Sequence, residues 1–380
     1  MKMAEWQRAV IKVGSALVAP SGEGCSSKYL SAIANFILQC NAQGKEIILV
    51  SSGSIAAART SIKSGHHPSI AEKQAMAALG QMQMMSAWSD LFSPNLACAQ
   101  LLLSAEDLAD RKRFVNIKNT LEQLLLNHAL PIVNENDTVA VDEIKVGDND
   151  NLAAHTAIAA QADCLIICTD VNGLYTANPR TKPNATLIKQ VDKIDTKVMR
   201  LAGGAGSSVG TGGMVTKLEA AKKCTQAGIQ TILLNGTDGK AFSSLAAGNN
   251  PGTLFAPNLQ KSKARQDWLR HTSKVKGKLW VDSGANTALL KTGASLLAAG
   301  IVAIEGSFNA GDNIEIHCQH AVQEGSQSTL VGKGLVAYSS SELKRIMGCN
   351  SQDIEQILGY NAGEAAVHRD NLVLHQSMHD

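Results

Sequence analysis

Residues 129–162 read ALPIVNENDTVAVDEIKVGDNDNLAAHTAIAAQA, which is an apolar strand, a polar loop and a helix in succession. The loop from Asn134 to Asn151 carries six carboxylates and four side-chain amides. Because Asp and Asn are the usual residues of turns, a solvated connection is one interpretation. A dense polar cluster between two apolar elements is also what a ligand site requires. The rest of the chain decides between these interpretations.

Apolar strands and amphipathic helices alternate on both sides of this segment. The strands are continuous apolar runs, which is typical of a parallel sheet covered by helices on both faces. The predicted strands are 8–13, 46–50, 97–103, 130–133, 164–168 and 230–234, and the predicted helices are 26–43, 70–91, 113–128, 151–162 and 214–227. The sequence therefore predicts an α/β fold with an open, mostly parallel sheet sandwiched by helices.

The composition changes after residue 257. Residues 258–276 form a basic linker, and short strands separated by Gly-containing turns follow it. The predicted strands there are 279–281, 301–305, 313–317 and 335–338, and the predicted helices are 285–291 and 341–347. This pattern predicts a small, mostly-β barrel. The predicted division is a first domain at 1–257, the linker, a barrel at 277–355 and a C-terminal tail at 356–380.

Bulk composition argues against several classes of protein. The 380 residues carry a formal net charge of +2, so the overall charge selects no polyanionic partner. We expect no signal peptide and no membrane span, because the N-terminus lacks an apolar core and no apolar run reaches 18 residues. Eight scattered cysteines without a CxxC pair indicate reduced thiols, and we expect a cytoplasmic protein.

Two lysines stand beside glycine turns at the predicted carboxyl ends of strands. Lys12 precedes Gly14 by two residues, and Lys217 follows Gly213 by four. Ligands of open α/β sheets bind beyond those strand ends, and glycine turns there offer backbone N–H groups to phosphate. The GxGxxG and Walker A strings are absent, which argues against a Rossmann dehydrogenase and a P-loop ATPase. Taken singly, either lysine could be an ordinary exposed residue.

Six motifs occur in a fixed order: VIKVGSA at 10–16, VSSGSIAAA at 50–58, NEND at 134–137, IKVGDNDNLAA at 144–154, TDVNGLYTANPR at 169–180 and GTGGMVTKLEAA at 210–221. In this order they resemble the glutamate 5-kinases of the amino acid kinase family. The C-terminal segment is similar to a PUA domain. The resemblance makes residues 1–257 the catalytic domain.

The resemblance implies ATP-dependent phosphorylation of the side-chain carboxylate of L-glutamate to L-glutamyl 5-phosphate, the first step of proline synthesis. It also implies inhibition by L-proline, a homo-tetramer and a glutamyl phosphate reductase acting downstream. The cofactors would be ATP and Mg²⁺, the metal being held chiefly by ATP phosphates and water rather than by protein side chains. A side-chain carboxylate, with a pKa of about 4.3, is already ionised at pH 7. The chemistry then needs cations and N–H donors rather than a general base.

Carried over position by position, the resemblance assigns three groups of residues. The catalytic residues would be Lys12 and Lys217, with Asp150 positioning both ammonium groups. Glutamate would be bound by Ser52, Gly53, Asn134, Asp137, Asp148 and Asn149, of which Asp137 or Asp148 would meet the α-ammonium group. The nucleotide would be bound by Lys12, Gly14, Thr169, Asp170, Thr211, Gly212, Gly213, Met214 and Lys217. Ser54 and Ala58 replace the commoner Ala and Gly of relatives, which bears on pocket shape but not on the reaction.

Two other functions fit parts of the sequence. PUA domains occur in RNA-binding and RNA-modification proteins, and the basic stretch Lys261–Lys278 favours such a role. A solvated connection is the commoner origin of a charge run. The second alternative is a related carboxylate kinase acting on N-acetylglutamate or aspartate. Those relatives usually carry two glycines where this chain has Gly14 alone.

Overall fold

The structure, a computed structural model, describes residues 4–22, 24–62, 68–139, 149–202, 213–258, 275–318 and 329–375. The chain divides into two units, one of Met1–Asp110 and Ile117–Leu259 and the other of Arg111–Asn116 and Gln260–Asp380. Each unit has its own sheet and apolar core. Most of the basic linker at 258–276, and with it most of the stretch that favours RNA binding, lies outside the described residues.

An eight-stranded sheet forms the centre of the first unit. In spatial order its strands are β3 (Cys98–Leu103), β4 (Leu130–Glu135), β2 (Glu46–Ser51), β1 (Arg8–Val13), β5 (Cys164–Thr169), β7 (Gln230–Asn235), β8 (Thr253–Phe255) and β6 (Gln190–Val191). The first six strands are parallel, and β8 runs antiparallel to β7. The predicted open, mostly parallel sheet is confirmed.

Ten helices of the described residues precede residue 247 in the chain: α1 (Ser15–Val18), α2 (Ser27–Ala42), α3 (Ser54–Ala57), α4 (Ile70–Phe92), α5 (Ala105–Ala109), α6 (Arg111–Leu126), α7 (Asn149–Ala159), α8 (Thr196–Ala202), α9 (Met214–Gln226) and α10 (Gly239–Ala246). The first six residues of α6 belong to the second unit. Side chains cap several of these helices, because the hydroxyls of Ser26, Ser69 and Ser104 accept from the N–H groups of the following turn. Within the described ranges, no helix has both the length and the apolar character needed to cross a bilayer.

Two apolar cores lie on opposite faces of this sheet. In β1, Ala9, Ile11 and Val13 pack with residues of α2, α4 and α10, whereas Val10 packs with residues of α6, α7 and α9. Successive strand residues point to opposite faces, so Lys12 takes the position after Val10 on the α7 side. Only 5% of Lys12 is exposed, although it is charged. The sheet therefore places an ammonium group inside the fold, which requires a partner there.

Helix α3 lies against α4 at Gly80. A Cβ added to Gly80 would lie 1.8 Å from the carbonyl oxygen of Ser54 and 3.1 Å from the backbone nitrogen of Ala58. Only glycine permits this approach, because any side chain would collide with backbone. Gly53, which precedes α3, has a φ of 111°, in the region that favours glycine. The long helix α4 thus fixes the turn that follows β2.

The second unit contains a five-stranded sheet in the order β11 (Ile301–Gly306), β9 (Gly277–Val281), β12 (Asn313–Cys318), β13 (Thr329–Leu335) and β15 (Leu372–Leu374). A separate pair joins β10 (Leu296–Leu297) to β14 (Ala365–Val367). The helices are α11 (Ser283–Thr287), α12 (Ser340–Ile346) and α13 (Ile354–Leu358), with a π-helical turn at Ala288–Thr292. Alternate residues such as Ile314 and Ile316 are fully buried, so the predicted small β-rich domain is confirmed.

Two details of this unit differ from the prediction. The strand predicted at 335–338 is instead β13, which ends at Leu335. Residues assigned to a C-terminal tail contribute α13, β14 and β15, and β15 pairs with β13. Residues 356–375 therefore belong to the β-rich unit. Strands of three residues, such as β14 and β15, are too short to show an alternating pattern, which explains the second difference.

Gly80→Ala tests the contact between α3 and α4. Replacing Gly by Ala inside a helix ordinarily stabilises it by about 1 kcal/mol. Here the methyl group would meet the Ser54 carbonyl, so we expect a net loss of about 1–3 kcal/mol and a lower midpoint of thermal unfolding. Gly239→Ala is the control, because its Cβ would lie 3.8 Å from that of Ala32, an ordinary contact. Equal midpoints for Gly80→Ala and the unmodified chain would show that α3 moves freely.

Candidate active site

A cavity of about 420 Å³ opens where β1, β2, β4 and β5 end. Its size is in the range of small-molecule sites. The residues that line it lie at the ends of those four strands, in the turns that follow them, or on the helices α1, α3, α7 and α9: Lys12, Gly14, Ser15, Ala16, Leu17, Ser52, Gly53, Ser54, Ile55, Ala56, Arg59, Asn134, Glu135, Asp137, Asn149, Asp150, Cys168, Thr169, Asp170 and Lys217. This is the carboxyl edge of the sheet, where the sequence predicts a ligand.

Lys12, Lys217 and Asp150 form a buried cluster in the wall of this cavity. Asp150 Oδ1 lies 2.7 Å from Lys12 Nζ, and Asp150 Oδ2 lies 3.1 Å from Lys217 Nζ. The hydroxyl of Thr216 donates to the same Oδ2 at 2.7 Å. The side chains of Lys12, Lys217 and Asp150 are 7%, 12% and 4% exposed. One carboxylate therefore holds two ammonium groups side by side.

The surroundings act in opposite directions on the charges of Asp150 and Lys217. Burial opposes ionisation of Asp150, but the charges of Lys12 and Lys217 and the hydrogen bonds from Lys12 and Thr216 outweigh it and hold its pKa below the ordinary value. The pKa of Lys217 is lowered by burial and by repulsion from Lys12, although Asp150 counteracts both. With all three groups ionised, two positive charges face one negative charge. The cluster therefore attracts an anion into the cavity.

A chain of side-chain amides forms a second part of the wall. The Asn149 amide nitrogen donates to Ser52 Oγ at 2.8 Å and to Asn134 Oδ1 at 2.7 Å. The Asn134 amide nitrogen donates in turn to Gln81 Oε1 at 2.9 Å. These bonds join the ends of β2 and β4 to the first turn of α7 and to α4. The polar groups are thus oriented before any ligand binds.

Ser54 and Asp137 extend this network toward α3. The Ser54 hydroxyl donates to Asp137 Oδ2 at 3.2 Å, and Ser54 itself is buried. Ser54, which replaces the commoner alanine of relatives, therefore contacts Asp137, one of the residues predicted to bind the substrate. Ala58, the other departure, is fully buried next to Gly80.

Sequence reasoning did not identify Gln81, Arg59 or Glu135 as site residues. Gln81 is buried on the apolar face of α4, which also carries Met84. A polar amide among apolar residues was the one sequence signal that could have identified it. Arg59 and Glu135 both line the cavity, and Glu135 is buried at the end of β4. Nothing in the local sequence distinguishes Arg59 from an ordinary surface arginine.

A second cavity of about 440 Å³ shares Thr169, Asp170 and Lys217 with the first. Its other lining residues lie after β5, at the end of α8 and at the start of α9: Val171, Gly173, Leu174, Tyr175, Ala177, Asn178, Pro179, Arg180, Leu201, Ala202, Gly213 and Met214. Asp170 Oδ2 pairs with Arg180 at 2.9 Å. Helix α9 begins at this cavity, and the positive end of its dipole favours phosphate there.

The two glycine turns leave space beside the ammonium groups. A Cβ at Gly14 would lie 3.8 Å from Lys12 Nζ and 3.7 Å from the Cys168 carbonyl oxygen. A Cβ at Gly213 would meet no described atom within 4 Å. A larger residue at position 14 would occupy the room next to Lys12. Open backbone beside two cations fits a polyphosphate.

The predicted site residues fall into three sets. Those in the first cavity are Lys12, Gly14, Ser52, Gly53, Asn134, Asp137, Asn149, Asp150, Thr169, Asp170 and Lys217. Gly213 and Met214 line the second cavity. Asp148, Thr211 and Gly212 lie outside the described residues. The individual roles of all these residues stay predictions.

Comparison with known proteins agrees with this architecture. Residues 7–235 match the amino acid kinase family, and residues 277–358 match the PUA domain. A glutamate 5-kinase of Idiomarina loihiensis is 47% identical over 376 residues, covering 98% of this chain and 99% of that protein. A glutamate 5-kinase of Salinibacter ruber is 49% identical over 373 residues, covering 97% and 98%. The chain therefore belongs to the amino acid kinase family and carries a C-terminal PUA domain.

Proposed function

We propose that this chain is a glutamate 5-kinase, which transfers the γ-phosphoryl group of ATP to the side-chain carboxylate of L-glutamate and forms L-glutamyl 5-phosphate. The observation that carries the proposal is the Lys12–Asp150–Lys217 cluster, whose Lys217 lines both cavities. One cavity suits an amino acid and the other a nucleotide. Similarity over nearly the full length to proteins of that name supports the proposal.

The site is suited to an acceptor that is already ionised. A carboxylate with a pKa of about 4.3 has no proton to lose at neutral pH, so no residue has to act as a general base. The obstacle is repulsion between the acceptor and the phosphoryl group, together with the charge that develops during transfer. Lys12 and Lys217 offset that charge. Asp150 holds both ammonium groups in place, so little reorganisation is needed when substrates bind.

The second cavity fits ATP, which supplies the phosphoryl group when bound. Tyr175 and Met214 offer apolar surface for a base, and Gly213 opens α9 next to Lys217. Thr169 and Asp170 line both cavities, where they would contact the nucleotide. Mg²⁺ would be held mainly by phosphates and water, in keeping with its slow dehydration.

The amide network fits the acceptor. Ser52 and Asn149 are joined by a hydrogen bond, which fixes the orientation of their remaining donors and acceptors. Asp137 is the group that would meet the α-ammonium group of glutamate. A carboxylate in an anion site is otherwise repulsive, and the neutral acetylated nitrogen of N-acetylglutamate would leave it without a charged partner. Asp137 therefore favours L-glutamate over N-acetylglutamate.

The proposal extends to regulation, assembly and cellular role. L-Proline carries the α-ammonium and α-carboxylate groups of the substrate but has no carboxylate to phosphorylate, so it would inhibit at this site. The proposed assembly is a homo-tetramer, and exposed apolar residues fit association between copies: Leu79 is 48%, Met82 72% and Leu102 36% exposed. The enzyme would act in the cytoplasm, where eight free thiols are stable, and supply L-glutamyl 5-phosphate to a reductase in proline synthesis.

A hydroxylamine-trapping assay tests the reaction, because an acyl phosphate yields a hydroxamate. The assay contains ATP, Mg²⁺ and either L-glutamate, N-acetyl-L-glutamate or L-aspartate. We expect kcat/KM for L-glutamate to exceed that for N-acetyl-L-glutamate by about tenfold or more, the value of one lost charge-assisted hydrogen bond. L-Aspartate should also be a poorer acceptor, because its shorter side chain would hold the carboxylate away from the phosphoryl group. Product with N-acetylglutamate alone would reassign the enzyme to a different carboxylate kinase.

Lys217→Ala tests the catalytic cluster. We expect kcat to fall by about 10²–10³-fold, since removing one preorganised donor to the transferred group has that effect, while the KM for L-glutamate changes far less. Lys222→Ala, an exposed lysine on the same helix, is the control and should retain activity. A normal kcat in Lys217→Ala, measured by steady-state kinetics, would remove Lys217 from the catalytic set.

Inhibition and assembly are measured on the unmodified protein. L-Proline should raise the apparent KM for L-glutamate and leave the KM for ATP unchanged. Light scattering should give a mass of about four times the 40.0 kDa chain. Full activity at saturating proline would contradict the first expectation, and a mass of one chain would contradict the second.

A further inference from the structure

One cation in the first cavity takes no part in the cluster around Asp150. Arg59 lies two residues beyond the end of α3, lines the cavity and is exposed. Within the described part of the chain, its guanidinium makes no ion pair and no side-chain hydrogen bond. Lys12 and Lys217, in contrast, both contact the carboxylate of Asp150. Arg59 is thus available to a ligand.

The position of Arg59 points to the acceptor rather than to the nucleotide. Lys217 lines both cavities, whereas Arg59 lines only the first. Ser54, at the start of α3, donates to Asp137, so Asp137 lies against the short helix after which Arg59 follows. Both belong to the part of the edge formed by β4 and β2, while Lys12 lies in the neighbouring β1. An anion and a cation therefore line the end of the cavity away from the nucleotide.

A free α-amino acid presents both charges at its backbone end. Asp137 can neutralise the ammonium group, but it repels the α-carboxylate, as does the neighbouring Glu135. A guanidinium supplies five N–H donors in a fork that matches a carboxylate. Such a pair is stronger than a neutral hydrogen bond and has a defined geometry.

We infer that Arg59 binds the α-carboxylate of the acceptor, so that Arg59 and Asp137 together recognise the zwitterionic end of the amino acid. The inference rests on the proposed function. It makes the acceptor requirement more specific, because a substrate would need a free α-carboxylate as well as a free α-ammonium group.

A comparison of two acceptors tests whether Arg59 binds the α-carboxylate. L-Glutamate and its α-amide, isoglutamine, have the same side-chain carboxylate and the same ammonium group, and they differ only at the α-carboxyl. Hydroxamate formation from each is measured with the unmodified enzyme, Arg59→Gln and Arg59→Lys. Asp137→Asn serves as a contrast, and Lys240→Gln removes an exposed charge on α10 as the control.

In Arg59→Gln we expect the KM for L-glutamate to rise by about 10- to 100-fold, the value of a charge-assisted pair, while the KM for the α-amide stays within about twofold. The preference for glutamate over its amide falls accordingly, and kcat and the KM for ATP are unchanged. Arg59→Lys recovers part of the preference, since an ammonium keeps the charge but not the fork. Asp137→Asn raises the KM for both acceptors alike, and Lys240→Gln matches the unmodified enzyme.

Different failures have different meanings. An unmodified enzyme that forms no hydroxamate from L-glutamate would overturn the proposed function, and this inference with it. Normal activity of the unmodified enzyme with an unchanged acceptor preference in Arg59→Gln would overturn the inference alone. A lower kcat or a higher KM for ATP in Arg59→Gln, equal for both acceptors, would also overturn it and would place the guanidinium near the phosphates.

Discussion

The sharing of one buried carboxylate between two lysines is the interaction on which the site depends. Asp150 comes from the first turn of α7, Lys12 from the end of β1 and Lys217 from the first turn of α9. Three segments far apart in sequence therefore meet at four charged oxygen and nitrogen atoms. Loss of one member of a buried ion pair typically costs about 3–5 kcal/mol, because an uncompensated charge stays inside. The cluster thus couples the fold of this edge to the presence of all three charges.

This arrangement places a charged residue in a strand that is otherwise apolar and buried. Between Ala9 and Val13, all residues of β1 except Lys12 are apolar and buried. A sequence normally agrees with its fold at every level, and exceptions concentrate at functional sites. Asn134 and Asn149 follow the same rule, because each is a buried amide satisfied by another side chain. The conflict is confined to the carboxyl edge.

Much of the first unit could be predicted because its signals are local. Continuous apolar strands indicate a doubly covered parallel sheet, and glycines mark the turns where those strands end. The motifs supplied most residues of the two cavities. The hydrogen-bond partners of these site residues could not be predicted from the local sequence. Gln81 lies 53 residues from Asn134, and only the packing of α4 shows that they bond. Arg59 has no local signature at all. In the second unit, strands of two and three residues carry too little pattern to be recognised.

The contact at Gly80 gives helix α4 two different sides. Toward the sheet, its backbone touches the Ser54 carbonyl with no room for even a methyl group. Toward solvent, the adjoining Leu79 and the nearby Met82 are exposed. Close-packed interiors transmit displacement rather than absorb it. Pressure on the outer side of α4 would therefore reach the Ser54–Asp137 hydrogen bond within a single helix diameter. The backbone contact at Gly80 thus connects the outer side of α4 directly to Ser54, which lines the first cavity.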